Sequence, residues 1–224
     1  MTQTSDFRFK KQHVKTARGR TAASARWIQR HINDRFVLMA KQQKYRSRAA
    51  FKLLGIEDKF HVLRGSQVVV DLGAAPGSWL QVVRKVAPQA RVIGIDLQEI
   101  IPLDEVQLIV GDFCDQANQQ LLQQAFQGKV SVVLSDMAAS ASGDRQVDHM
   151  RIMHLVRTAL DFARLNLRPN GNFVAKILRG GEEAELLQEI RKSFKKVQVY
   201  KPEASYNDSA EAFIVAQGFK GVPT

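Results

Sequence analysis

The sequence predicts an α/β fold: a doubly wound, mostly parallel seven-stranded sheet, its last strand antiparallel, with helices on both faces. Three observations predict it. Seven short runs rich in β-branched and apolar residues recur along the chain. Helical patterns separate most of them, the alternation that a parallel sheet covered on both sides requires. The last two runs have no helix between them, so a loop joins them and the final strand runs against its neighbours.

Residues 1 to about 24 are polar, basic and aperiodic, the composition of a disordered tail. From Ser24 to about Lys44, the apolar residues Trp27, Ile28, Ile32, Phe36, Val37, Met39 and Ala40 recur at near-helical spacing. RSRAAFKLLGIEDKF, 46–60, reads as a second helix that turns Ala50, Leu53, Leu54 and Ile56 inward. The period then changes. QVVVDLG (67–73), RVIGIDL (91–97), VQLIVGDF (106–113), KVSVVLSDM (129–137), GNFVAKI (171–177), KVQVY (196–200) and EAFIVAQGF (211–219) read as strands. SWLQVVRKVA, DQANQQLLQQAFQ, VDHMRIMHLVRTALDFARLNL and EEAELLQEIRKSF read as the helices between them. There is no internal repeat. The expected organisation is a tail, 1–24, and one domain, 25–224, opening with a basic helical segment over 25–64.

Composition narrows the function. No stretch approaches the roughly 18 apolar residues that span a bilayer. The basic N-terminus lacks the apolar core of a secretory signal. Cys114 is the single cysteine, so no intramolecular disulfide forms, and a reducing cytoplasm is the expected location. The five histidines have no metal-ligand spacing, so no structural metal is expected. Charge is lopsided: residues 1–64 hold 16 Lys and Arg against 4 Asp and Glu, and the remainder 17 against 18. A basic segment on a near-neutral domain is the footprint of a polyanion binder. It lacks the wide apolar face that a membrane surface needs, which favours nucleic acid; the alternative is a solvated tail.

In an open α/β sheet, ligands bind beyond the carboxyl ends of the strands. Those ends are Asp71-Leu72-Gly73-Ala74-Ala75-Pro76-Gly77, Asp96, Gly111-Asp112 and Ser135-Asp136. Four strands thus deliver an acidic residue to one edge, which suits a cationic or donor-rich ligand. The first turn is not the G-x-G-x-x-G of dinucleotide folds, and its neighbouring Asp71 disfavours phosphate. Asp96, 23 residues after Gly73, is placed for ribose hydroxyls, and Asp112 for an adenine amino group. Trp79 suits either a ligand wall or ordinary helix–sheet packing. S-adenosylmethionine (SAM), an adenosine with a sulfonium and an ammonium, fits this set. Lys176 in an apolar strand, Lys52 between apolar residues of a helix, and Glu211 opening the last strand are candidate catalytic groups or salt-bridged element ends.

With RSRAAFKL, VVDLGAAPGSW, the Asp96 and GDF elements, LSDMA, FVAKI and the late Glu211 before FIVA, the chain resembles the FtsJ/RrmJ family of ribosomal RNA 2′-O-methyltransferases from about Ser24 to Phe219. The resemblance implies a Rossmann-like SAM-dependent methyltransferase fold and a Lys-Asp-Lys-Glu tetrad at Lys52, Asp136, Lys176 and Glu211. It implies SAM contacts at Gly77, Trp79, Asp96, Asp112 and Asp136. It also implies methylation of a uridine ribose in the large-subunit rRNA during ribosome maturation. The partner expected is ribosomal RNA within the large subunit, and the protein is expected to act as a monomer. Three stretches depart from the family pattern. Gly-Gly-Trp is Gly77-Ser78-Trp79, Asp-Met-Ala-Pro-Asn is Asp136-Met137-Ala138-Ala139-Ser140, and the often arginine-rich stretch before the last glutamate is YNDSAE. Two other readings stand beside this one. A methyltransferase for protein or small molecules leaves the basic segment unexplained. A non-catalytic RNA-binding module leaves the retained tetrad unexplained.

Overall fold

The computed structural model describes residues 28–139, 142–180 and 183–221. The tail over 1–24, the expected helix start at Ser24 and Trp27, and Ser140 lie outside the described residues. A seven-stranded sheet with the order β3-β2-β1-β4-β5-β7-β6 forms the centre. The strands are β1 (Val68–Leu72), β2 (Arg91–Asp96), β3 (Val106–Val110), β4 (Val130–Ser135), β5 (Leu167–Leu178), β6 (Phe194–Tyr200) and β7 (Glu211–Phe219). The first five pair in parallel, and β7 lies antiparallel between β5 and β6.

Among the described residues, helices cover the sheet: α1 (Arg35–Gln42), α2 (Ala50–Phe60), α3 (Ser78–Val86), α4 (Gln116–Phe126), α5 (Arg145–Asn166) and α6 (Glu183–Ser193). Alternation along each strand sorts side chains into two cores. Val69, Val92, Val132, Val174 and Val215 share one core with Ala40 of α1, Leu53 of α2, and Leu80 and Val83 of α3. Val70, Ile93, Val133, Phe173 and Ile214 meet α4, α5 and α6 through Leu122, Leu160 and Ile190. Both faces are covered, which is why the central strands read as continuous apolar runs.

Three expectations are corrected at element boundaries. The run from Ser24 to Lys44 is not one helix: residues 28–32 are helical, and α1 starts afresh after Asp34. The Asp34 carboxylate accepts from the N–H groups of Phe36 and Val37, which makes it an N-cap and breaks the run. The second helix starts at Ala50 rather than 46, with Ser47 Oγ accepting from Ala49 N–H just before it. β5 begins at Leu167, not 171; the register shift against β4 between Val130 and Val132 and the positive φ of Asn170 absorb the NLRPNG stretch into the strand. No helix among the described residues is long and apolar enough to cross a membrane.

Strand order runs outward in opposite directions from the β1/β4 pair. The loops after β1 and β4 therefore splay apart above the sheet, and the crevice between them is where an open α/β sheet binds its ligand.

Candidate active site

The turn after β1 is tied down by Gly73 and Ala74, whose N–H groups both donate to Ile95 O on β2, at 2.9 and 3.0 Å. Gly73 has φ of +77°, and a Cβ there would come within 2.8 Å of Met137 Cα. The close approach that calls for a glycine at this point is thus made by the loop after β4. Gly77, with φ of +101°, opens α3, and a Cβ on it would meet the Arg46 guanidinium. That guanidinium donates to Pro76 O and Pro102 O, at 2.9 and 3.0 Å, and fastens the turn from outside.

Beyond the strand ends lies a cavity of about 490 Å³, a volume suited to a nucleoside-sized ligand. Its wall includes Gly73, Ala75, Pro76, Phe113, Leu155 and Met137. Four carboxylates face it, from Asp96, Glu99, Asp112 and Asp136, and among the described residues no basic side chain lines it. Asp96 is fixed at both oxygens: Oδ2 accepts from Ala75 N–H and Oδ1 from Gln98 N–H, each at 2.9 Å. Asp112 Oδ1 accepts from Cys114 N–H at 2.8 Å. A wall of this charge suits a cation and repels a polyphosphate. SAM, with its sulfonium and ammonium, fits these residues.

Gly77 and Trp79 do not line this cavity. The Trp79 indole is buried, donates from Nε1 to Ala49 O at 2.9 Å, and packs 5.6 Å from the Phe213 ring. Its side chain therefore belongs to the α2–α3 core, because the α3 face that carries it turns toward the sheet.

At the cavity's edge the four expected catalytic residues meet. Lys176 Nζ lies 3.0 Å from Asp136 Oδ1 and donates to Asp136 O at 2.7 Å. Lys52 Nζ donates to Glu211 Oε2 at 2.7 Å and lies 3.9 Å from Asp136 Oδ2. Sheet register explains part of this: β5 and β7 pair Leu178 with Glu211 and Lys176 with Phe213. Lys52 reaches in from α2. Burial pushes the Glu211 carboxyl up, but the Lys52 charge and hydrogen bond, with Ser205 and Lys176, outweigh it and leave the pKa below its ordinary value. Asp71 fares differently. It is fully buried, and burial together with the Asp136 and Asp96 charges raises its pKa well above the ordinary value.

Sequence reasoning missed Ser205, which donates to Glu211 Oε1 at 2.7 Å, and Arg48, which holds the loop around it. Ser205 sits in an aperiodic stretch, and Arg48 was legible only as one basic residue among many. Phe113 and Leu155 were also missed as cavity walls; the GDF run held the first, but nothing marked the second.

A sheet with its seventh strand reversed between the fifth and sixth, and a glycine turn facing an acidic cavity at the switch point, defines the class: a Rossmann-like methyltransferase. A methyltransferase from the mycinamycin biosynthetic pathway, MycE, solved with Mg and S-adenosylhomocysteine (SAH), shares this fold at a TM-score of 0.53 and 18% identity over 79% of this chain and 49% of its own. The chain belongs to the FtsJ-like methyltransferase family, which matches residues 45–219. The ribosomal RNA large subunit methyltransferase E of Novosphingobium aromaticivorans is 50% identical over 95% of this chain and 96% of its own length. Its namesake in Zymomonas mobilis is 47% identical over 94% and 95%. A ribosomal RNA methyltransferase structure from Plasmodium falciparum superimposes with a TM-score of 0.72 at 26% identity, covering 80% of this chain and all of its own.

Proposed function

We propose that this protein is a SAM-dependent methyltransferase acting on the ribose 2′-oxygen of a uridine in 23S ribosomal RNA, during large-subunit maturation, in the cytoplasm and as a monomer. The observation that carries the reading is the position of Asp136. It lines the acidic cavity and is also the ion-pair partner of Lys176, so the cofactor site and the tetrad share one residue.

When bound, SAM supplies an electrophilic methyl group on sulfur, which passes to the 2′-oxygen and leaves SAH. A ribose hydroxyl is a poor nucleophile, so the chain has to orient it and accept or stabilise its departing proton. Lys176 is assigned that task, because Asp136 holds its Nζ at the cavity's edge. Asp136 orients Lys176. Lys52 and Glu211 form a fixed pair beside them and steer the ribose. On the cofactor side, Asp96 is assigned the ribose hydroxyls of SAM, Asp112 the adenine amino group, and Gly77 and Trp79 backbone contacts at the start of α3. The basic N-terminal region and the tail over 1–24 are assigned the phosphate backbone of the RNA.

The test is transfer of labelled methyl from SAM to large-subunit particles from cells lacking this protein, followed by digestion and nucleoside analysis. Label is expected in 2′-O-methyluridine. Label in a base, or in ribosomal protein, would contradict the assignment.

A further inference from the structure

Glu211 is held at both oxygens. Lys52 Nζ donates to Oε2 and Ser205 Oγ donates to Oε1, each at 2.7 Å. Ser205 is buried, with 4% of its surface exposed, in the irregular connection 201–210 between β6 and β7. Its own backbone is tied by one turn bond, from its N–H to Pro202 O at 2.9 Å. The residues on either side of it are both gripped by one guanidinium. Arg48 Nη2 donates to the carbonyl of Ala204, and Arg48 Cζ lies 3.7 Å from the centre of the Tyr206 ring. Arg48 is fixed in turn by Asp34, whose Oδ2 lies 2.6 Å from Nη1 with 7% of the aspartate side chain exposed. Arg48 precedes Lys52 by four residues. Arg48 stands just ahead of α2 and Lys52 in its first turn, so one short stretch carries the cation that holds Glu211 and the cation that holds the loop behind it.

We propose that Ser205 is a positioning residue for Glu211, and that Arg48 sets the place of Ser205 through Ala204 and Tyr206. The inference rests on Glu211 being part of the catalytic cluster. With Lys52 alone, the carboxylate would pivot about a single contact. A second donor on the opposite oxygen removes that freedom, and a hydrogen bond to a charged acceptor is strong enough to do so. Catalytic groups lose rate when misplaced by a fraction of an ångström to 1 Å. A hydroxyl also orients the carboxylate without adding a charge that competes with Lys52.

The test is steady-state methyl transfer by the full-length protein, using large-subunit particles from cells lacking it. The variants are Ser205→Ala, Glu211→Ala, Tyr206→Leu and the doubles with Glu211→Ala. Tyr206→Leu leaves the Asp34–Arg48 pair intact, so the loop contact is weakened without stranding a buried charge. Ser205→Ala is expected to lower kcat about tenfold with KM for RNA and SAM unchanged, and Tyr206→Leu to lower it in the same direction. Neither is expected to slow the Glu211→Ala enzyme further, because both act through that carboxylate. A wild-type kcat in Ser205→Ala, or a loss that adds in full to that of Glu211→Ala, would overturn the inference. A wild-type rate in Glu211→Ala alone would overturn the tetrad reading, and this inference with it.

Discussion

Asp71, buried, and Glu211, partly buried, are carboxyls of one sheet whose pKa values move in opposite directions. Burial is the largest influence on each and raises both. Glu211 has Lys52 and Ser205 against it, and these reverse the sign. Both oxygens of Asp71 lack a hydrogen-bond partner among the described residues, and the like charges of Asp136 and Asp96 raise its pKa further. Strand alternation puts Asp71 on the Val69 face, under α3. Its pKa is raised in the folded state, so folding takes up a proton that the unfolded chain releases above about 3.8. The stability contributed by this proton is complete below that value and is lost as pH rises toward the folded value. For Glu211 the sign is opposite: its contribution is present above about 4.5 and lost as pH falls. Urea denaturation of Asp71→Asn, followed from about pH 4 to pH 8, is therefore expected to show a flatter fall in stability than the wild type. Matching slopes would mean that Asp71 does not change protonation on folding.

At the scale of elements, the stretch from Asp34 to α2 acts as a clamp between the two halves of the site. Ser47 Oγ lies 2.7 Å from Ser78 Oγ, and Arg46 N–H donates to Gln81 Oε1 at 2.8 Å, so one side grips α3. Arg48 and Lys52 grip the loop and strand on the other side. Asp34 serves this clamp twice, as the N-cap of α1 and as the partner of Arg48. The two roles separate by substitution. Asp34→Ala removes both and is expected to cost about 1 kcal/mol for the cap and about 3 kcal/mol more for the stranded guanidinium. Asp34→Asn keeps the cap and loses the charge pair, so its unfolding free energy should fall between wild type and Asp34→Ala. Wild-type stability in Asp34→Asn would show that the pair contributes nothing. Much of this fold was legible in the sequence, because a covered parallel sheet alternates two unmistakable periods, and the missing helix before EAFIVAQGF marked the reversed strand. The break at Asp34 was not legible. A carboxylate within an amphipathic run reads as a solvated face until its contact with Arg48 is seen. The acidic strand ends that line the cavity were also legible, and Lys52 was singled out mainly through the family resemblance. Ser205 and Arg48 were not, because their contacts join residues far apart in the chain and leave no local pattern.

For the whole molecule, the excess charge divides into two uses. Arg30 pairs with Asp208 at 2.7 Å, Arg35 with Glu203 at 2.8 Å and Arg48 with Asp34 at 2.6 Å, so these arginines of the basic segment, like Arg46 on Pro76 O and Pro102 O, are engaged within the fold. Part of what reads as a polyanion footprint therefore holds the N-terminal helices to the β6–β7 connection. On the proposed function, RNA attraction is expected to fall more heavily on the first 24 residues, which carry 6 Lys and Arg against 1 Asp. If the basic region meets about 5 phosphates, log K for RNA is expected to fall with a slope of about −3.5 to −4.5 against log salt. Deleting residues 1–24 should weaken RNA binding and flatten that slope while SAM affinity holds. Full RNA affinity in the truncated protein would make the tail a solubility device. The central claim is that Lys176, held by Asp136, acts on the 2′-hydroxyl. Its most direct test is the methyl-transfer rate of Lys176→Ala on large-subunit particles lacking the modification, with SAM binding measured alongside. SAM affinity is expected to hold while the rate falls by about a hundredfold or more; transfer at the wild-type rate would remove Lys176 from the reaction.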